Sequence, residues 1–160
     1  MGRFTESSRK MNLLRRPHHL LICAGIEQRS TCCPMNKYQA LQYFWSLFGW
    51  KAYNESTVPS DAMEQNNNRY ITYESATDSY DNDLLLSASL WIRSTSWTEI
   101  HAKAEEISEY IETQFPPAIP IDGGFLKIRK GTPFATDMAD DDQTIRRVRL
   151  NIYAEFLTAY

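Results

Sequence analysis

Two stretches of strictly alternating side chains constrain the fold more than anything else in this sequence. From Leu84 to Arg93, the residues Leu84, Leu86, Ala88, Leu90 and Ile92 share one face of an extended chain, and Leu85, Ser87, Ser89, Trp91 and Arg93 share the other. Near the C-terminus Val148, Leu150, Ile152, Ala154 and Phe156 alternate in the same way with Arg147, Arg149, Asn151, Tyr153 and Glu155. Side chains of a strand point to opposite faces in turn. Each stretch is therefore a strand with one apolar and one polar face, the pattern of an antiparallel sheet covered on one side.

Helical spacing appears twice. Asn36 followed by Gln39 forms a capping box, in which each side chain satisfies the other residue's backbone amide. Tyr38, Leu41, Trp45 and Phe48 then recur on one helical face, and Gly49 ends the run. Trp50 and Tyr53 are placed to pack back onto the core. A second box, Ser96 with Glu99, opens a helix whose stripe is Trp97, Ile100, Ala104, Ile107 and Ile111, and Phe115-Pro116-Pro117 stops it. Between these helices, residues 54–68 read as a polar loop, Tyr70–Tyr73 as a short strand and Ser75–Asn82 as a turn. After them come an Asp122-Gly123-Gly124 turn, a strand from Phe125 to Lys130 broken by Gly131-Thr132-Pro133, and an acidic loop from Met138 to Gln143. The expected architecture is α+β, in the order α-β-β-α-β-β: an antiparallel sheet of about four strands with two helices packed on one face.

This reading makes residues 35–160 a single domain and sets residues 1–34 apart. Those first residues carry six basic side chains against Glu6 and Glu27, a net of +4, while the rest has eleven basic and eighteen acidic residues, a net of −7. No helical or strand period precedes Asn36, so residues 1–34 read as a disordered arm or as a start placed upstream of the true one, with Met35 the Met at which patterning begins. Leu20–Ala24 after Arg15-Arg16-Pro17 imitates a signal peptide, but its apolar run is at the short limit and Arg29 follows closely. All three cysteines lie in this segment. Cys32-Cys33 with His18-His19 lacks zinc-ligand spacing, and a body free of cysteine fits a reducing compartment. No apolar run reaches the ~20 residues of a membrane helix.

Chemistry is sparse. His101 is the body's one histidine, on a helix flank with no visible partner, and no P-loop, G-x-S-x-G, H-E-x-x-H or G-x-G-x-x-G occurs. Asp137, Asp140, Asp141 and Asp142 lack the alternation and closing Glu of a calcium loop, so they read as a solvated acidic turn. Arg147 and Arg149 share a strand face with Arg146 opposite, placed for ion pairs with that turn or with a neighbouring subunit. A net of −7 disfavours general nucleic-acid binding. No catalytic residue, cofactor or metal site is expected; the alternative is a small accessory enzyme or a metal-binding factor.

The run Leu86–Trp97, then Lys130-Gly131-Thr132-Pro133-Phe134, then Ile145-Arg146-Arg147 and Leu150-Asn151 resembles the tail terminator and tail-completion proteins of long-tailed bacteriophages and prophages. The resemblance covers residues 35–160. It implies a non-catalytic virion assembly protein, made in the host cytoplasm, that forms a ring, commonly a hexamer. Such a ring caps the tail tube and joins it to the neck, with genome DNA passing through; a head-completion or neck connector is the alternative. The expected subunit and partner contacts are Arg147, Arg149, Asp140, Asp141 and Asp142 together with Pro133 and Phe134. The two long irregular stretches, Asn54–Asn68 and Gly131–Gln143, are expected to meet the tube, the neck or the next subunit.

Overall fold

A computed structural model describes residues 35–77, 83–113 and 118–158. Their elements, in chain order, are α1 (Lys37–Ser46), β1 (Ala52–Asn54), a 3-10 turn (Glu55–Thr57), α2 (Ala62–Gln65), β2 (Arg69–Tyr73), β3 (Asp83–Arg93), α3 (Thr98–Thr113), β4 (Ala118–Ile121), β5 (Gly124–Met138) and β6 (Ile145–Thr158). The strands form one sheet in the order β1-β2-β3-β6-β5-β4. The β1–β2 pair is parallel and the others are antiparallel.

The two alternating stretches pair with each other at the centre of this sheet. Leu86, Ala88 and Leu90 of β3 stand opposite Ile152, Leu150 and Val148 of β6, and all six are buried. That register puts both apolar sets on one face; a one-residue slip would turn them to solvent. The core adds Leu126 and Ile128 from β5 and the buried stripe Ile100, Ala104, Ile107 and Ile111 of α3. Helix α1 contributes Ala40, Leu41, Phe44 and Trp45, and the rings of Phe44 and of Phe48, just past its end, meet Tyr110 of α3 at 6.4 and 5.4 Å. The sheet is curled into a half-barrel, and α1 touches β1 and β4, the two edge strands. The first helix thus lies across the seam that the curled sheet leaves open.

Four expectations need correction. The sheet is not a four-stranded antiparallel one with two helices packed on it: it is six-stranded and mixed, because β1 and β4 join it. Both additions are too short to show a period of two, and Pro120 inside β4 reads as a breaker. It is accommodated because β4 is an edge, where a missing amide donor costs no ladder bond. Second, Gly131-Thr132-Pro133 does not end β5. The strand runs to Met138 through a register shift between Lys130 and Ala135 that holds a cis Thr132–Pro133 bond, so Gly131–Gln143 is not one irregular stretch. Gly131 is required there, since a Cβ would come within 2.8 Å of Asn151 Cβ on β6. Third, the polar stretch 54–68 folds into the 3-10 turn and α2. Fourth, Ser96 and Glu99 form no capping box. Ser96 Oγ accepts from Thr98 N at 3.2 Å, and the Glu99 carboxylate turns outward to Arg69. The Asn36–Gln39 box, by contrast, has both of its bonds at 2.9 Å. The expected arm at residues 1–34, most of the turn at 75–82 and the stop at Phe115-Pro116-Pro117 lie outside the described residues.

Candidate interaction face

The polar face of the alternating strands carries the site. Strand register aligns its residues in rows across the sheet: Tyr70, Trp91, Arg147 and Met138 in one, then Thr72, Ser89, Arg149 and Thr136 in the next. In the first row the rings stack. Tyr53 meets Tyr70 edge-on at 6.0 Å, Tyr70 lies parallel to Trp91 at 5.9 Å, and the Arg147 guanidinium sits over Trp91 at 4.5 Å. Beneath them Thr72 and Ser89 are buried hydroxyls, and each is hydrogen-bonded. Trp91 Nε1 donates to Thr72 Oγ1 at 3.0 Å, and Arg147 donates to Ser89 Oγ through Nε and Nη2, both at 3.2 Å. Burial pushes the Tyr70 phenol above its ordinary pKa, opposed by nearby Arg147 and reinforced by Asp140.

Charge is distributed unevenly on this face. Towards its other end Lys127 pairs with Glu155 at 3.0 Å and Arg129 with Asp83 at 2.5 Å. The Arg129 hydrogen bond holds the Asp83 carboxyl below the usual range. Arg69, Arg93, Lys103 and Lys130 also meet carboxylates. Among the described residues Arg147 meets Trp91 and Ser89 and no carboxylate. Arg149 is exposed, with Ser89 and Thr136 as cross-strand neighbours, and among the described residues it has no hydrogen-bond or ion-pair partner.

The acidic residues form the tip of the β5–β6 hairpin, beside Arg147. Asp140 Oδ1 accepts from Asp142 N at 3.0 Å, and Asp142 Oδ1 accepts from the Thr144 amide and hydroxyl at 2.8 and 2.7 Å. Those two bonds hold the Asp142 carboxyl below its usual value. Asp141 has no partner among the described residues. None of the three pairs with Arg147 or Arg149 within the chain, so of the two expected pairings, with the acidic turn or with a neighbouring subunit, the first is not formed. Arg146 points to the opposite side, where Nη1 donates to Gln143 O at 2.6 Å and Nη2 to Thr95 O at 3.3 Å; it lies over Trp97 at 5.3 Å. Pro133 and Phe134 are not at the tip. Pro133 O accepts from Asn151 Nδ2 at 2.8 Å, and Phe134 packs against the core below Lys130.

His101 does have a partner. Its Nε2 lies 3.0 Å from Asp137 Oδ1, and its ring stacks on Trp97 at 5.4 Å. Both side chains are about half exposed (49% and 55%), and among the described residues no hydroxyl bonds to the imidazole. Among the described residues no three His, Cys, Asp or Glu side chains come together as metal ligands, and no helix is long and apolar enough to cross a membrane.

Sequence reasoning placed Trp91 and Ser89 on the polar face but missed the Tyr70–Trp91–Arg147 row and the Tyr53 ring that meets it. The signal was the outward position of Trp91; what was lacking was the register that sets Tyr70 and Arg147 beside it. No family model, curated protein or solved structure matches the chain.

Proposed function

We propose that this protein is a non-catalytic assembly subunit of a bacteriophage tail, a terminator that closes into a homo-oligomeric ring on the tail tube and presents the surface that joins the neck. One observation carries this reading. The stripes of α1 and α3 enter the core on one side of the sheet, and among the described residues no helix packs on the β3–β6–β5 part of the other side. That open face exposes Leu85 and Phe125, 52% and 51% accessible, at one end and Arg149 at the other. Exposed apolar side chains and an uncompensated charge on one sheet face are what a protein contact surface uses. A heterologous contact closes into a ring when its rotation allows, and a protein that ends a polymer needs closure.

The test adds the purified chain to polymerising tail-tube protein and follows tube length by electron microscopy, with mass photometry of the chain alone. A terminator forms a discrete oligomer and stops tube growth. A head-completion protein binds portal-bearing heads and leaves tubes unchanged, and a strict monomer without effect on tubes removes the proposal.

A further inference from the structure

The charges that the chain uses and those it leaves unused separate into two groups. Arg147 is committed to Trp91 and Ser89. Asp140 and Asp142 are committed to the bonds that shape the hairpin tip. On the open sheet face one arginine, Arg149, and at the apex of the tip one carboxylate, Asp141, are exposed and have no partner among the described residues. Every other Lys or Arg among the described residues meets a carboxylate, a carbonyl, a hydroxyl or an aromatic ring, Lys37 included.

We propose that the occupant of the Arg149 face is the hairpin tip of a second copy of this chain, with Asp141 of one copy paired to Arg149 of the next. The tip suits that role. It carries three consecutive carboxylates, and the Asx bonds of Asp140 and Asp142 order its backbone before any partner arrives, which lowers the entropy that docking must offset. The receiving surface suits it as well. The exposed Thr136 lies beside Arg149 on β5, and no cross-strand carboxylate repels an incoming aspartate. Arg147, fixed over Trp91, adds a second positive charge two residues along the same strand face. An arginine presents a planar fork that takes a carboxylate through two parallel hydrogen bonds. The contact joins unlike surfaces, tip to face, and is heterologous, the class that builds rings or filaments. This inference rests on the self-association read above and names its contact.

The experiment is charge reversal with exchange, on the full chain. Arg149→Glu and Asp141→Lys are made singly and together, and assembly is measured by mass photometry and sedimentation velocity across a dilution series. Neither side chain has a partner among the described residues, so the thermal melts of both single variants should match the parent. Each single variant should raise the concentration for half-assembly at least about tenfold, the effect of ~1.4 kcal/mol. An equimolar mixture of the two single variants should reassemble, because each then meets a complementary surface on the other, and so should the double variant. Assembly by either single variant at the parent's concentration overturns the pairing and leaves the ring reading standing. So does failure of both the mixture and the double variant to recover. A parent chain that is monomeric throughout overturns both readings, while rescued oligomers that leave tube length unchanged uphold the contact and refute the terminator.

Discussion

Ile107 is the test of how the half-barrel is held together. It lies mid-way along α3, fully buried in the stripe that packs on β3, β5 and β6. Replacing it with alanine deletes three carbons. At roughly 0.8 kcal/mol per buried methylene the transfer loss is about 2.4 kcal/mol. The cavity left behind adds to this wherever the neighbours cannot collapse, for a total of about 2–5 kcal/mol. The neighbours here are strand residues fixed by ladders on both sides, so the site should relax little and the cost should fall in the upper half of that range. Ile107→Val removes one carbon and should cost roughly 0.5–1.5 kcal/mol. Tyr38→Ala on α1, at 55% exposure, should stay within about 0.5 kcal/mol. Urea denaturation followed by circular dichroism and tryptophan fluorescence measures all three, with an unchanged slope showing that stability and not the unfolded state has moved. If Ile107→Ala costs no more than Tyr38→Ala, α3 does not pack on this sheet and the fold described above is wrong.

Three further outcomes follow from the geometry. Gly124→Ala should destabilise by about 1–3 kcal/mol, because a Cβ would fall 1.8 Å from Leu157 O and force β5 away from β6; an unchanged urea midpoint would contradict that close approach. Asn36→Ala, which breaks a complete box, should cost about 1 kcal/mol and more than Ser96→Ala, whose hydroxyl caps one amide; the reverse ranking in thermal melts would refute the cap geometry. Asp83 and Asp142 should titrate below the usual carboxylate range in carbon-detected NMR. Because their folded pKa values are depressed, what they add to stability is present above the unfolded-state pKa and is lost as the pH falls through the folded value; ordinary titration of either would disprove its hydrogen bonds.

How much of this was legible in the sequence depended on length and on register. The long strands announced themselves, since Leu86 to Ile92 and Val148 to Phe156 offer enough residues for a period of two to stand out. The Asn36 cap was equally plain, being complete within four residues. Ala52–Asn54 and Ala118–Ile121 were not, because three or four residues carry no period and their pairing partners lie far along the chain. The bulge after Lys130 looked like an ending because glycine and proline punctuate either way; only the close pass of Asn151 under Gly131 shows that the strand continues. The Ser96-x-x-Glu99 pattern failed through tertiary competition, Arg69 offering Glu99 a charge partner in place of a backbone amide. His101 lacked a visible partner for the same reason, since Asp137 is brought to it only by the strand that was expected to have ended. Asp140 to Asp142 and Arg147 with Arg149 were correctly seen as charged and neighbouring, but which of them the chain consumes internally is a matter of hydrogen bonds that spacing does not encode.

The internal ion pairs explain little of the stability, because exposed pairs contribute about 0–1 kcal/mol each. Their consequence is spatial. With Lys127 and Arg129 neutralised by Glu155 and Asp83, the central part of the open face is left nearly neutral, and among the described residues its unbalanced positive charge lies on Arg149 with Arg147, beside the acidic hairpin tip. Leu85 and Phe125 occupy the far end of the same face. Two forces with opposite responses to salt are thus available to one surface. A contact governed by Arg149 and Asp141 should weaken between 0.15 M and 1 M salt, as the screening length contracts from about 8 to 3 Å. A contact governed by Leu85 and Phe125 should hold or tighten in sulfate, which strengthens apolar burial. Measuring assembly in sodium chloride and in sodium sulfate at matched ionic strength separates them. Loss of assembly in both salts assigns the subunit contact to the charged end and leaves the apolar end for a different partner. Persistence in both would place the subunit contact at Leu85 and Phe125 and remove Arg149 from it.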